Sequence, residues 1–495
     1  MVMPMPQPGP ALREQLARDP HRPRYHFLPP HNWLNDPNGV IQFNGEYHLF
    51  YQHNPFEPLQ RNIHWGHAVS RDLVHWEHLP VALAPDPGTP DEAGVWSGCA
   101  VDADGTPVVI YTGVSGPTRR DQQVCVAFGD SRLRTLTKHP DNPVISGGPM
   151  DLDLVRGRAG TVDFRDPCVW READGWYLAI GSGIAGVGGA ALLYRSRDLL
   201  TWEHLHPLYV GDASHNESFW TGTMWECPDF IPLGDRHVLM VSAYDHAASG
   251  VIHFIGTYAD HWFTPERAAI SDYGRWYAPQ SFVDQQGRTI DWGWIREQRT
   301  VAAQVAASWS GAMALPRVLS LTPNGDLSAT PAPEYQALRR AHRHFTERPL
   351  TPGALDTLDG ATGTHLELLA TLDPGDATTC GLLVRRSPDG EEETRIAYDR
   401  AANTVTLDRS RSTLDPASDP VSRTMPAALA PDGTLRLHLF LDASILELFV
   451  GDHVACAERI YPTRPDSLTL ALFAAGGTAT LRTLDLWDMV SIWEE

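Results

Sequence analysis

Residues 35–52 read NDPNGVIQFNGEYHLFYQ, which is an acid in a turn sequence, a strand, a glycine turn and a second apolar strand. The frame recurs with an acid nine positions before the turn residue, at Asp36 before Gly45, Asp166 before Gly175 and Glu226 before Asp235. Two more segments, from Gly105 and from Gly287, share the turn and the strand after it. Because these turns are 60, 70, 60 and 52 residues apart, the sequence contains five similar units.

Repeats of this length made of short strands are typical of blades around an axis, because one small twisted sheet cannot bury both faces alone. A second repeat supports this interpretation: SRDLVHWEHLP from Ser70 and SRDLLTWEHLHP from Ser196 put the same strand and turn at the same stage of two units. If equivalent strands all approach the axis, the three acids meet at one mouth of the ring. We therefore predict an all-β fold that begins with a ring of five blades.

Composition shifts divide the chain further. Residues 1–24 read as a proline-rich tail with one short helix, ALREQLAR, and residues 25–322 hold the five units. Residues 323–348 suit a linker with a short helix, since a turn and a Pro and Ala stretch precede it. Residues 349–495 alternate apolar and polar positions and predict a β-sandwich. This second domain either stabilises the first, contacts substrate or forms oligomers, including a possible homodimer.

The overall composition excludes several classes of protein. At 495 residues and 42% hydrophobic content the chain can bury two cores. Its net charge of -22, without a basic stripe, excludes nucleic acid as a partner. Six cysteines without CxxC spacing argue against a structural zinc site or a disulfide framework. No apolar run suits a signal peptide or a membrane span, so we predict a cytoplasmic location without membrane contact.

Three converging acids suit glycoside hydrolysis, which needs one carboxylate at the anomeric carbon and another carboxyl that protonates the leaving oxygen. Asp36 lies in the rigid turn DPNG, as an aimed nucleophile requires. Glu226 lies between Trp225 and Cys227, where poor solvation favours a proton donor. Asp166 follows Arg165, whose charge would keep it ionised for electrostatic stabilisation or hydroxyl binding.

Each acid also has an ordinary interpretation when taken alone: a turn cap for Asp36, a solvated strand end for Glu226 and a local ion pair for Asp166. Three independent surface acids would have little reason to occupy equivalent positions in three of five units. The shared frame therefore favours a common site.

Other motifs give weaker signals. His64, His67, His75 and His78 have HxxH spacing, but no HExxH motif is present and such spacing on a strand puts the pair on opposite faces. The segment SGIAGVGGA lacks the Lys and Ser/Thr of a phosphate loop and reads as a turn. No nucleophile elbow supports acyl transfer. We therefore predict no metal and no cofactor.

The motifs NWLNDPNG, FYQHNP, WGHAVSRDLVHW, FRDP and WECPDF occur in this order, and with them the chain closely resembles the invertase and fructanase family, glycoside hydrolase family 32. The resemblance runs from about Tyr25 through LPRVLSL at Leu315. It continues more weakly through RSRS at Arg409 and LDASILELFVGD. It implies a five-bladed β-propeller followed by a C-terminal β-sandwich, in agreement with the repeat count.

The resemblance also implies roles for individual residues. Asp36 corresponds to the nucleophile, Glu226 to the acid/base and Asp166 to the stabiliser of the transition state. The matching sugar-binding candidates are Trp33, Asn35, Gln52, Trp96, Ser97, Arg165, Tyr277 and Trp294. Gln60 is a candidate at a position where members commonly have tryptophan, and WSGC at Trp96 stands where FSGS is frequent. Because these departures concern the outer pocket, the resemblance does not fix the substrate preference.

The sequence thus predicts a retaining β-fructofuranosidase that acts on sucrose or a short fructo-oligosaccharide. The alternatives within enzymes are a fructan hydrolase for inulin or levan, a fructosyltransferase, and a propeller glycosidase for arabinose or xylose polymers. From another class comes a carbohydrate-binding propeller that has lost catalysis.

Overall fold

The computed structural model describes residues 3–118, 120–157, 159–214, 219–418 and 420–493. After the helix α1 (Pro10–Arg18), five antiparallel sheets follow one another along the chain. The first contains β1 (Asn32–Phe43), β2 (Glu46–Asn54), β3 (His64–Ser70) and β4 (Trp76–Leu83). The second contains β5 (Gly94–Ala103), β6 (Thr106–Ser115), β7 (Asp121–Gly129) and β8 (Leu136–Lys138). The third contains β9 (Arg165–Glu172), β10 (Gly175–Ile184), β11 (Gly188–Ser196) and β12 (Trp202–Val210).

The fourth sheet contains β13 (Met224–Leu233), β14 (Arg236–Tyr244), β15 (Ala248–Ala259) and β16 (Trp262–Ile270). The last stretch of the ring contains β17 (Trp276–Val283), β18 (Thr289–Ile295), α2 (Val301–Ala307), β19 (Trp309–Ser310), β20 (Ala312–Met313), β21 (Arg317–Leu321) and β22 (Leu327–Pro331). All of these strands except β19 form the fifth sheet.

The five sheets close into a ring. The first strands of neighbouring sheets, β1, β5, β9, β13 and β17, contact one another in turn, and β17 contacts β1 again. The closure is reinforced by β19, which leaves the fifth sheet and pairs in parallel with β1, Asn32 opposite Trp309. The predicted five-bladed propeller is therefore confirmed, with the acid-bearing strands innermost.

The second repeat has the same hydrogen bonds in both of its blades. In the first, Asp72 Oδ1 accepts from the backbone N–H of Val74 and of His75, at 3.0 and 2.8 Å. In the third, Asp198 Oδ1 accepts from the two equivalent N–H groups at 2.9 and 2.7 Å. Leu73 and Leu199 each have a φ of +66°. The shared sequence thus forms the same turn in both blades, between the third and the fourth strand.

A two-sheet sandwich follows the ring, after a 3₁₀ helix at Pro333–Leu338. One sheet contains, in spatial order, β23 (Arg339–Leu350), β34 (Ala479–Met489), β25 (His365–Asp373), β30 (Leu435–Asp442), β31 (Ile445–Val450) and β32 (Val454–Arg459). The other contains β24 (Leu355–Thr362), β33 (Thr469–Ala475), β26 (Thr379–Arg386), β27 (Thr394–Asp399), β28 (Thr404–Asp408) and β29 (Arg423–Pro426). Leucine-rich inner faces, such as Leu368 and Leu382, form its core.

The predicted linker over 323–348 is shorter in the structure. Residues 327–331 pair with β21, and residues 339–350 are the edge strand of the sandwich, so residues 332–338 connect the two sets of sheets. The sequence RRAHRHFTERPL lacks a clear alternation because an edge strand has solvent along much of its surface.

The N-terminal segment is docked on the ring. Leu16 of α1 packs with Leu28 and Trp309, and the indole Nε1 of Trp309 donates to Asp19 Oδ2 at 2.6 Å. The six cysteines are free thiols. Within the described ranges, no helix has the length and apolar character needed to cross a membrane.

A buried cluster of charges joins the two domains. His26 bonds Asp442 through Nδ1 at 2.8 Å and Glu447 through Nε2 at 3.0 Å. Arg317 donates to Glu447 and to Asp272, at 3.0 and 2.8 Å. All five side chains are fully or almost fully buried. We call these residues the interface cluster, since His26, Asp272 and Arg317 belong to the propeller side and the other two to the sandwich.

Candidate active site

A local irregularity on each innermost strand directs the frame residues toward the axis. The pairing register of β1, β5, β9, β13 and β17 shifts at or next to the frame position in all five blades. A proline lies at four of these shifts, Pro37, Pro167, Pro228 and Pro279. Proline lacks an N–H, and a β-bulge leaves residues unpaired. The hydrogen bonds to the neighbouring strand are therefore interrupted at these positions, and the side chains there change direction.

The backbone at Asp166 is held in an uncommon conformation. Its φ is +65°, a left-handed value that few residues other than glycine adopt. The N–H of Asp166 donates to Thr112 Oγ1 of the neighbouring blade at 2.8 Å. Such strain concentrates at functional sites, where the surroundings hold it in place.

The three acids converge around one thiol and one guanidinium. Cys227 Sγ lies 3.9 Å from Asp36 Oδ2 and 3.5 Å from Asp166 Oδ2, and the backbone N–H of Cys227 donates to the same Asp166 oxygen at 3.0 Å. Glu226, one residue earlier, accepts from Arg165, whose Nε is 4.0 Å from Asp166 Oδ2. Blades one, three and four thus deliver one carboxylate each to a common site.

Asp36 is held by donors on both oxygens. Its Oδ2 accepts from Ser97 Oγ at 2.6 Å and from Gln52 Nε2 at 3.2 Å, and its Oδ1 accepts from Asn35 Nδ2 at 3.0 Å. Asn35 is itself oriented by Trp33, whose Nε1 donates to Asn35 Oδ1 at 2.6 Å. This carboxylate therefore has a fixed position in the site.

Glu226 is oriented by two donors of different kinds. Arg165 donates to Oε1 through Nε at 3.1 Å and through a terminal nitrogen at 2.9 Å. Tyr277, one of the sugar-binding candidates from the sequence, donates its hydroxyl to Oε2 at 2.7 Å. The same arginine reaches Asp163 Oδ1 at 2.6 Å, so it links the acids to the loop before β9.

Burial and mutual repulsion raise the pKa values of two of the acids. Burial, together with the charge of Glu226, raises the pKa of Asp36 to about 6, although Ser97 and Asn35 act in the opposite direction. Burial raises the pKa of Asp166 to about 7 against the opposing charge of Arg165, with Glu226 and Asp36 adding to the rise. Arg165 thus acts on Asp166 in the expected direction, but burial outweighs it, and the guanidinium bonds Glu226 and Asp163 rather than Asp166.

The remaining sugar-binding candidates lie at different distances from the acids. Trp33 and Trp294 meet edge to face with ring centroids 5.8 Å apart, and Trp96 lies directly before Ser97. Gln60 is exposed in the loop between β2 and β3, and none of the hydrogen bonds that the acids accept from described residues comes from it. All candidates except Gln60 therefore contact the acids or neighbour residues that do.

A cavity of about 590 Å³ lies beside Arg165, and none of the three acids is among its lining residues. Asp163 and Tyr244 line it, and both contact Arg165, Tyr244 with its ring centre 5.3 Å from the guanidinium carbon. Arg156 and Asp245 also line it.

Sequence reasoning missed four residues of this site: Cys227, Asp163, Tyr244 and Thr112. Two had a readable signal, because Cys227 follows Glu226 and Asp163 stands two residues before Arg165. Tyr244 and Thr112 lie on second strands of their blades, outside the repeated acid frame.

The HxxH histidines do not form a common metal site. His67 Nε2 bonds His48 Nδ1 at 3.0 Å, His75 bonds Asp72 at 2.7 Å, and His64 bonds the carbonyl of Asn62 at 2.6 Å. Their ring nitrogens thus face different partners.

Comparisons with known proteins agree with this geometry. The model of the glycosyl hydrolases family 32 N-terminal domain matches residues 26–331, and that of the family 32 C terminal matches residues 334–488. A sucrose-6-phosphate hydrolase of Zymomonas mobilis is 36% identical over 94% of this chain and 92% of its own length. A levanase of Bacillus subtilis is 33% identical over 96% of this chain and 71% of its own. The crystal structure of fructan 1-exohydrolase IIa from Cichorium intybus superposes with a TM-score of 0.85 at 28% identity, over 96% of this chain and 98% of that one.

Proposed function

Because the chain belongs to family 32 of the glycosyl hydrolases, we propose that it is a retaining β-fructofuranosidase that releases fructose from sucrose by double displacement. The observation that carries this proposal is the meeting of Asp36 and Asp166 at the thiol of Cys227, with Glu226 the residue directly before Cys227. A nucleophile and a proton donor within one site are the minimum equipment for the reaction.

In the first step Asp36 attacks the anomeric carbon of the fructosyl unit while Glu226 gives its proton to the glycosidic oxygen. The bond from that carbon to the glycosidic oxygen breaks, glucose leaves with the proton, and an ester joins Asp36 to fructose. In the second step Glu226 takes a proton from water, the water oxygen bonds to the anomeric carbon and the ester breaks. Fructose leaves with its original configuration.

The donors around each acid suit these roles. Ser97 and Gln52 donate to one oxygen of Asp36 and Asn35 donates to the other, so that the ionised carboxylate keeps its position. Arg165 and Tyr277 orient Glu226. Asp166, buried beside the reacting atoms, would accept hydrogen bonds from fructosyl hydroxyls, and these bonds strengthen as positive charge develops on the sugar ring.

The test is hydrolysis of a panel of substrates by the purified protein: sucrose, its 6-phosphate, raffinose, inulin and levan, with released fructose measured against time. We expect release from sucrose and the highest kcat/KM for a disaccharide. Release from inulin or levan alone would favour the fructan hydrolase. Products longer than the substrate at high sucrose would favour the fructosyltransferase, and binding without release would favour the non-catalytic propeller.

A second candidate substrate is sucrose 6-phosphate, which one observation favours. The exposed Arg120 places its guanidinium carbon 5.6 Å from the ring centre of Trp96, next to Ser97 in the site. A guanidinium there can pair with a phosphate on the glucosyl unit. The relative from Zymomonas mobilis is called a sucrose-6-phosphate hydrolase.

Arg120→Gln separates the two substrates. If the phosphorylated sugar is the substrate, the variant raises KM for it about tenfold or more and leaves KM for sucrose unchanged. Equal KM values for both sugars in both proteins would remove the phosphate from the proposal and leave sucrose.

A further inference from the structure

Two histidines and an aspartate meet on the surface of the sandwich, in a cluster that the proposed reaction does not use. His342 and His344 lie on the edge strand β23, and Asp485 lies on the C-terminal strand β34 that pairs with it. His344 is directly opposite Asp485 in the register. A register shift between Arg340 and Arg343 brings His342 to the same carboxylate.

The donor atoms of this cluster are close and accessible. His342 Nε2 and His344 Nδ1 each lie 2.7 Å from the same oxygen, Asp485 Oδ1, and the three ligand atoms all lie within 4.8 Å of one another. Their side chains are 49, 48 and 28% exposed. A metal ion can therefore reach them from solvent, and small side-chain rotations suffice to place it between them.

The surroundings favour a cation in this place. Among the described residues Asp485 forms ion pairs only with these two histidines, so no lysine or arginine there neutralises the carboxylate. Trp487 stacks on His342 with ring centroids 4.8 Å apart and planes 9° from parallel, which fixes the direction of that imidazole. Arg339 lies over the same indole, but its charge is compensated by Glu367.

We propose that His342, His344 and Asp485 form a surface site for one divalent transition-metal ion, with Zn²⁺ as the best match. Two imidazole nitrogens and one carboxylate oxygen are a donor set that Zn²⁺ and its neighbours in the series prefer over Mg²⁺ and Ca²⁺. Three protein ligands leave at least one coordination position for water or another group. The ion would also tie the edge strand β23 to β34.

The chain contains its own control for this proposal. His204 and His206 on β12 have the same spacing, and His206 also stacks on a tryptophan, Trp262, with centroids 3.7 Å apart. No ion pair to a carboxylate is present for either residue within the described ranges. If spacing and stacking alone bound metal, this pair would bind it as well.

The experiment uses the full chain without a polyhistidine tag, freed of metal with a chelator and titrated with ZnCl₂ in a calorimeter. We expect one Zn²⁺ per chain in the micromolar range, and an affinity lower by about tenfold or more in His344→Ala and Asp485→Asn. His206→Ala should bind as the wild type does. Circular dichroism of each variant verifies that it is folded.

Two further readouts belong to the same site. Co²⁺ should give visible absorption bands that His344→Ala lacks, because the bands report nitrogen ligation directly. Saturating Zn²⁺ should raise the melting temperature of the wild type and of His206→Ala only, since binding to the folded state alone stabilises it. Zn²⁺ binding that survives unchanged in His344→Ala, or no saturable binding by the wild type, would overturn the proposal and leave two imidazoles that simply pair with Asp485.

Discussion

The active-site acids and the interface cluster are both groups of buried charge, yet their carboxyl groups behave differently. In the interface cluster His26 and Arg317 bond the carboxylates, and the pKa values of Asp442 and Glu447 lie below their ordinary range although burial acts in the opposite direction. Asp272 is the exception, because burial there outweighs Arg317 and its pKa is raised. In the active site the pKa values of Asp36 and Asp166 are raised to about 6 and about 7.

The difference is one of pairing. The carboxylates of the interface cluster have two cationic partners, Arg317 and His26. His26 counts as cationic because its pKa is raised: burial alone would lower it, but the bonds to Asp442 and Glu447 outweigh burial. In the active site, Asp166, Glu226 and Asp163 share Arg165, and among the described residues Asp36 has no ion pair. The interface cluster thus has two cationic groups for three carboxylates, and the active-site acids have a smaller share of positive charge.

The largest effect is expected from Asp36→Ala. Removing the nucleophile should lower kcat for sucrose by about 10⁴-fold or more, while the fold and the melting temperature are kept. Initial rates of fructose release and a thermal melt measure the two. Asp102→Asn, next to the last residue of β5, is the matched control and should retain full activity. A wild-type rate for Asp36→Ala in a preparation free of contaminating hydrolase would remove Asp36 from the mechanism.

The next effect concerns stability. Arg317→Met should lower the free energy of unfolding by about 3–5 kcal/mol, because it leaves Asp272 and Glu447 buried with less compensation. Arg436→Ala, which breaks an exposed pair with Asp432, should change it by less than about 0.5 kcal/mol. Urea unfolding of the two variants makes the comparison. Equal values would mean that the interface cluster does not hold the domains together.

Tyr277→Phe tests the orientation of Glu226. The variant keeps the ring and loses only the hydroxyl that donates to Glu226 Oε2. We expect kcat to fall by about ten- to a hundredfold, because a hydrogen bond to a charged group contributes about 1.5–3 kcal/mol. A KM that rises while kcat is unchanged would instead assign Tyr277 to sugar binding. Tyr258→Phe, on the outer side of the fourth blade, is the control.

The pH profile follows from the raised pKa of Asp36. Since the nucleophile must be ionised, kcat/KM should fall about tenfold for each pH unit below about 6. Initial rates at low substrate between pH 4 and pH 8 measure this limb. A limb that lies near pH 4 would show that Asp36 is ionised in the free protein like an exposed aspartate.

The smallest effect is a gain of stability. The pKa of Asp166 is raised in the folded protein, so its contribution to stability is present below its ordinary pKa and is lost as pH rises through about 7. Asp166→Asn avoids this loss. Its melting temperature should exceed that of the wild type by about 1–3 °C at pH 8, and the difference should vanish near pH 4. A lower melting temperature at pH 8 would contradict the raised pKa.

Much of the architecture could be read from the sequence because the blades repeat. The spacing of Asp36, Asp166 and Glu226 before their turns predicted both the ring and the shared site, and the family models confirm the resemblance. The β-bulges that orient these side chains were not predicted, because their only sequence signal is the proline beside the frame position. The assignment of roles, a cytoplasmic location and a homodimer remain predictions.

Contacts between remote strands could not be read in this way. The attachment of Arg165 to Glu226 depends on where a long side chain points once the third and fourth blades are packed together. The interface cluster was hidden for the same reason, since His26 and Asp442 are more than 400 positions apart in the chain. The sequence around His26 or Asp442 contains no local pattern that predicts the other residue as its partner.

The central claim is that acids from separate blades converge so that Asp36 bonds covalently to the fructosyl unit. Incubation with sucrose in aqueous methanol tests it directly, because transfer to methanol gives a methyl fructofuranoside whose configuration does not change afterwards. Two displacements predict the β-anomer, identified by NMR, with no product from Asp36→Ala. The α-anomer would contradict the claim, since it would show a single displacement and carboxyl groups farther apart than the roughly 5–5.5 Å of a retaining pair.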